Sequence, residues 1–237
     1  MVLRELGEDA VLCIGQPAHA WLSAQLARAW GNGLVAAPWP REEVVLAAAQ
    51  HDIGMARWDA DPECDPRTGH PRSFLDLPLE THLRLWSWAP WLALSQSRWS
   101  ALLVSMHGSH LYAGRAGEPG VQDFLDTQSA LQRTLIDSLG VTGAQAERNQ
   151  RLLAAWDHFS LALCLDRLPE TVEAERSIAI AAAGEDVAVT PWPFASEGVE
   201  VMVEGRRLEG RFEDDASLRA ALAAAPWETL RWSLRPG

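Results

Sequence analysis

LAAAQHDIG, residues 46–54, places an ionisable pair at the end of an apolar helical run. The run starts after Pro38-Trp39-Pro40, so the spacing predicts a helix from about Arg41 to Asp52, closed by Gly54. On that helix His51 lies one turn beyond Ala47 and Ala48, on the face that a small apolar stripe turns inward. Burying such a pair is costly unless partners meet it. The reading of the chain therefore depends on what the other helices bring.

Four others bring a comparable group. His19 shares a face with Leu22 and Leu26 on a helix that Gly15-Gln16-Pro17 opens and Gly31-Asn32-Gly33 stops. His82 sits with Leu79, Leu85 and Trp86 on a helix from about Leu79 to Ser95. His107 follows Leu103 and Val104 on a helix from Ser97 to a Gly-rich break at Gly108. Asp157 shares a face with Leu153, Leu161 and Cys164 on the last long helix, about Ala144 to Leu165. A further helix is expected from about Val121 to Leu139. Several buried ionisable groups are tolerable if they converge on a cation, and separate hydrogen-bonded networks are the alternative. Imidazole and carboxylate donors suit one or two divalent ions among Fe, Mn, Zn and Ni, and Mg is compatible.

The order His19, His51-Asp52, Asp157, each on its own helix, resembles the HD superfamily of metal-dependent phosphohydrolases, over roughly residues 15 to 166. HDIG is a common form of that family's central motif. The stretches HDIGMARWDADPECDPRTGHP, LLVSMH and LLAAWDHFSLALCL are also similar to a bacterial domain-of-unknown-function branch of the superfamily. The resemblance implies that His19, His51, Asp52 and Asp157 ligate one metal and that Asp52 bridges to a second. It implies His82 and His107 as the two further histidines of a binuclear site. Many HDIG proteins carry Lys after the Gly, whereas this chain has Met55, so any phosphate contact of such a Lys falls elsewhere.

The expected activity is hydrolysis of a small, phosphorylated substrate by metal-activated water, since a divalent ion lowers the pKa of water from about 15.7 toward 7. His110 competes with His82 and His107 for the two further ligand roles, and His107 or His110, whichever is not a ligand, is the candidate acid or base. The long loop 53–78 is the expected wall of the site, with Arg57, Trp58, Asp59 and Arg72 as candidate substrate contacts and Arg57 or Arg72 as a phosphate clamp. Two other classes fit the same residues: a di-iron oxygenase of the HD type, and a non-catalytic metal- or ligand-binding protein.

The rest of the chain bounds these readings. Its net charge of −12 argues against long nucleic acid as a partner. Cys13, Cys64 and Cys164 form no CxxC pair, which suits a reducing cytoplasm. The acidic N-terminal stretch is unlike a signal peptide, and no run is long and apolar enough for a membrane span. After about Ala183 the pattern changes to short β-branched runs, VAVTPWPF and VEVMVEG, with a short helix in SLRAALAAAP. The expected fold is therefore mainly α: an HD-type helical bundle over residues 1–183, with a small α+β extension over 184–237. The extension has three open roles: shaping the pocket, forming a homodimer, or neither.

Overall fold

The computed structural model describes residues 1–237. Its architecture corrects the expectation of a mainly α protein. Seven strands form one mixed sheet that curves into a half-barrel, and the helices pack against it, so the fold is α+β. The strands are β1 (Val2–Glu5), β2 (Ala10–Ile14), β3 (Glu170–Glu173), β4 (Ser177–Ala183), β5 (Asp186–Thr190), β6 (Val199–Glu209) and β7 (Trp227–Pro236), in the spatial order β1-β2-β6-β7-β5-β4-β3. β5 and β7 run parallel, and every other neighbouring pair is antiparallel.

The sheet joins the two ends of the chain. β2 pairs with β6 from Ala10↔Glu209 to Cys13↔Arg206, and β6 pairs with β7 from Val199↔Leu234 to Arg206↔Trp227. The boundary expected between residues 183 and 184 falls in the turn between β4 and β5, which pair from Ala183↔Asp186 to Ala179↔Thr190. β6 alternates as a half-buried strand should, with Val199, Val201 and Val203 inward. Those residues and Leu12, Ile14 and Leu234 share one core with Trp156 and Phe159 of the last long helix and with Trp30, which follows the first.

The helices are α1 (Gln16–Ala29), α2 (Arg41–Gln50), the single-turn α3 (Ala56–Ala60), α4 (Leu79–Leu94), α5 (Arg98–Tyr112), α6 (Val121–Leu139), α7 (Gly143–Cys164) and α8 (Asp215–Ala224). α1 lies against β6 and packs on α2 and α7, while α5 packs on α2, α4, α6 and α7. None of the helices is long and apolar enough to cross a membrane. α5 runs four residues beyond the expected stop at Gly108. There the missing Cβ lets Trp86 and Phe124 press on the helix, since a methyl group would stand 3.1 Å from one ring and 3.3 Å from the other. Gly108 thus serves close packing inside a helix and does not end it.

The loop 53–78 folds on itself. Asp65 N–H donates to the His70 carbonyl, Arg72 N–H to the Glu63 carbonyl, and Arg67 pairs with Asp65 and Asp76. The Arg67 guanidinium holds the Asp65 carboxyl down at about 2. The loop is also tied to α8, because Cys64 N–H donates to Asp215 at 2.7 Å.

Candidate metal centre

Four elements deliver their polar side chains to one buried spot. α1 supplies His19, the end of α2 supplies His51 and Asp52, α5 supplies His107 and α7 supplies Asp157. His51 is still helical, with φ −58° and ψ −32°. Asp52 leaves the helix at φ −101° and ψ 17°, and a turn of 3-10 helix, Ile53–Met55, follows. This sharp exit points two adjacent side chains at one place, which a continuing helix would separate by about 100°. Gly54 makes the exit possible, since a Cβ there would lie 2.5 Å from the Leu85 carbonyl oxygen and 2.8 Å from the Ala89 side chain.

The donor atoms form a compact knot. His19 Nε2 lies 2.9 Å from Asp52 Oδ2 and 3.2 Å from His51 Nε2. His51 Nε2 is 3.5 Å from Asp52 Oδ2, and both Nε2 atoms are 3.3 Å from Asp157 Oδ1. Ligands bonded at about 2.0–2.2 Å to a common ion stand roughly 3.3–3.6 Å apart in a tetrahedron and about 3 Å apart in an octahedron. These five separations fall across that range, and the residues make two overlapping triads that could each hold a divalent ion: His19, His51 and Asp157, and His51, Asp52 and His107.

The outer hydrogen bonds favour the same conclusion. His51 donates from Nδ1 to the Ala48 carbonyl at 2.8 Å, which leaves the Nε2 lone pair facing the knot. His19 Nδ1 lies 2.7 Å from Ser160 Oγ, and Ser160 Oγ donates to the Asp157 carbonyl at 2.9 Å. That chain is satisfied when His19 carries its proton on Nδ1 and presents Nε2 as a ligand. His107 is 2% exposed, and its buried Nδ1 has no hydrogen-bond partner. Its Nε2 is 3.7 Å from Asp157 Oδ2, the oxygen turned away from the other two histidines. A buried ring nitrogen without a partner costs about 1–3 kcal/mol, a cost that a bound ion or water would remove.

The electrostatics are those of a cation site. Burial disfavours a charged His51, but Asp52 and Asp157 outweigh it and raise its pKa to about 9. Burial pushes His107 down to about 4. Burial would raise both carboxyls, yet the surrounding imidazoles, His51 foremost, hold Asp52 and Asp157 below the ordinary carboxylate range. Two ionised carboxylates therefore sit together away from bulk water, a concentration of negative charge that a divalent ion offsets.

The centre opens on a cavity of about 310 Å³. Phe74, Leu75, Leu77 and Leu79 line it from the loop and the start of α4, and Leu111, Tyr112 and Leu161 line it from α5 and α7. Gln16, His82 and Arg115 add polar groups. His82 faces this cavity but does not join the knot; its Nδ1 meets the Tyr112 hydroxyl at 2.5 Å. Arg115 lies over the Tyr112 ring, 5.2 Å from its centroid, and pairs with Glu118.

The remaining expected contacts lie elsewhere. His110 is exposed on α5 and outside the cavity. Arg57 and Trp58 line a different cavity, beyond α4. Asp59 accepts a hydrogen bond from the Gln16 N–H and pairs with the Met1 amino group at 2.9 Å. Arg72 pairs with Glu63 at 3.2 Å. All four were expected near the metal because they follow the HD pair closely. The chain instead turns away through α3 and returns only at Phe74. Sequence reasoning did not single out Tyr112, Ser160 or the apolar wall 74–79. Tyr112 lay beyond the expected end of α5, and Ser160 shows only as a polar position three residues after Asp157.

The chain belongs to the family described as Protein of unknown function (DUF3891), which matches residues 1–210 and so spans α1–α7, the His/Asp cluster and β1–β6. No curated protein and no solved structure matches the chain.

Proposed function

We propose that the chain is a metal-dependent hydrolase of the HD type, acting on a small phosphate ester in the 310 Å³ cavity. The observation that carries this reading is the knot in which His19 and His51 lie 2.9–3.5 Å from each other and from Asp52 and Asp157, with His19, Asp52 and Asp157 lining the cavity. Those four residues would hold the ion, in the order that resembles the superfamily. A divalent ion supplies the charge that acidifies water and polarises a phosphoryl oxygen.

The chain's own residues supply the rest. His107, neutral at pH 7 because burial holds its pKa near 4, offers a lone pair to a proton leaving water. Asp157 turns Oδ2 toward His107 and keeps that ring in place beside the centre. Arg115 is the one arginine lining the cavity and is the group suited to a phosphate oxygen. The Tyr112 hydroxyl, held by His82, can hydrogen-bond the departing oxygen. The leucine walls exclude bulk water and limit the substrate to a small one.

The test is turnover of aryl phosphates by metal-loaded protein, with Asp157→Asn as control. Wild-type release of the phenol, lost in the variant, is the expected result. No release from a broad panel of phosphate mono- and diesters contradicts the proposal. Oxygen uptake by iron-loaded protein without phosphate release moves the reading to the oxygenase class.

A further inference from the structure

α4 divides two cavities. It turns His82 and Trp86 toward the metal-side cavity and Thr81, Arg84, Leu85, Trp88 and Leu92 toward a larger groove of about 850 Å³. Ile53 and Gly54, the residues that follow the HD pair, form part of the groove's floor. Its volume lies in the range of small-molecule sites, about 300–1,000 Å³.

The chemistry of the groove is one-sided. Asp61 and Glu63 line it but are already paired, Asp61 with Arg219 at 3.0 Å and Glu63 with Arg72 at 3.2 Å. Arg57 and Arg84 also line it, both exposed, and neither takes part in an ion pair or a side-chain hydrogen bond. The chain contains no lysine, and these two guanidinium groups are the positive charge left free in the groove. Two indoles accompany it: Trp58, half-buried, and Trp88, 63% exposed. An indole that exposed, beside free guanidinium groups in a concave surface, is an incomplete set of contacts.

We propose that this groove binds a small aromatic anion, with the ring against Trp58 and Trp88 and the phosphate, sulfonate or carboxylate on Arg57 and Arg84. Indole faces stack on planar rings, and guanidinium forks pair with oxyanions through two parallel hydrogen bonds. The site is separate from the metal centre and independent of the hydrolase reading. A ligand in it would touch the HD turn from behind, through Ile53 and Gly54.

The test follows the indole N–H signals by NMR while adenosine 5′-monophosphate or 1-naphthalenesulfonate is added, with neutral adenosine as control. Trp→Phe variants assign the Trp58 and Trp88 signals. The expected result is a saturable shift of both signals with at least one anion. Affinity should fall about tenfold or more in the Arg57→Gln/Arg84→Gln variant. It should be unchanged in Asp157→Asn, which alters the metal centre from α7 and leaves the groove's lining in place. The proposal is overturned if neither anion gives a saturable shift by about 10 mM, if adenosine binds equally well, or if the arginine variant binds as the wild type does. Binding lost in the Asp157→Asn variant alone also overturns it, by assigning the ligand to the other cavity.

Discussion

Ser160 and the Ala48 carbonyl decide which nitrogen each histidine presents. The first takes the Nδ1 side of His19 and the second the Nδ1 side of His51, so both Nε2 atoms meet between Asp52 and Asp157. Partners of this kind typically change metal affinity by about 10–100-fold when removed. Ser160→Ala is therefore expected to weaken metal binding by about that factor in a competition with a chelator, while the circular dichroism spectrum stays the same. Unchanged affinity would show that Ser160 does not orient His19. At this scale, His19, His51, His107 and Asp157 were legible because each sits on the apolar stripe of a helix, and stripes face the core; Asp52, which leaves the helix, entered only beside His51 and through the resemblance. Arg57, Trp58, Asp59 and Arg72 were not, because a loop has no periodicity to say which way a side chain points. His110 was misplaced for a related reason: whether α5 passes Gly108 depends on Trp86 and Phe124, which are distant in sequence.

The turn from α2 into the 3-10 segment and α4 behave as one unit. Gly54 is pressed against the Leu85 carbonyl, and backbone cannot move aside as a flexible side-chain end can. Gly54→Ala is expected to cost about 1–3 kcal/mol by overpacking, read as a lower urea midpoint, and to weaken metal binding by tilting Asp52. A variant with wild-type midpoint and metal affinity would mean that the turn is not set by this contact. The long helices were legible from their apolar spacing and their Pro and Gly boundaries. β3 and β4 were not. SIAIAAA, the sequence of β4, alternates Ile178 and Ile180 inward but is otherwise alanine, the strongest helix former, and only the partners β3 and β5 hold it as a strand.

Across the whole molecule, the segment expected as an extension supplies the middle of the sheet. β6 and β7 lie between β2 and β5, and β6 packs directly on α1, which carries His19. Ending the chain after Ala183 would leave β2 and β4 each without a partner on one side and would expose Val2, Leu12 and Ile14. The truncated chain is expected to lose cooperative unfolding and to aggregate. A soluble, cooperatively folding fragment of residues 1–183 would contradict a shared core. The strands after Ala183 were legible in the sequence, but their register with the first fourteen residues was not, since pairing across nearly 200 positions leaves no local signal.

The central claim is that His19, His51, Asp52 and Asp157 hold a metal ion. Anomalous diffraction from crystals of the purified protein, recorded on both sides of the absorption edges of Fe, Mn, Zn and Ni, tests it most directly. The account predicts an anomalous peak at bonding distance, about 2.0–2.2 Å, from His51 Nε2 and Asp157 Oδ1, absent from crystals of the His51→Ala/Asp52→Ala variant. Metal-supplemented crystals with no peak at the knot, or with a peak that survives in the variant, would contradict it.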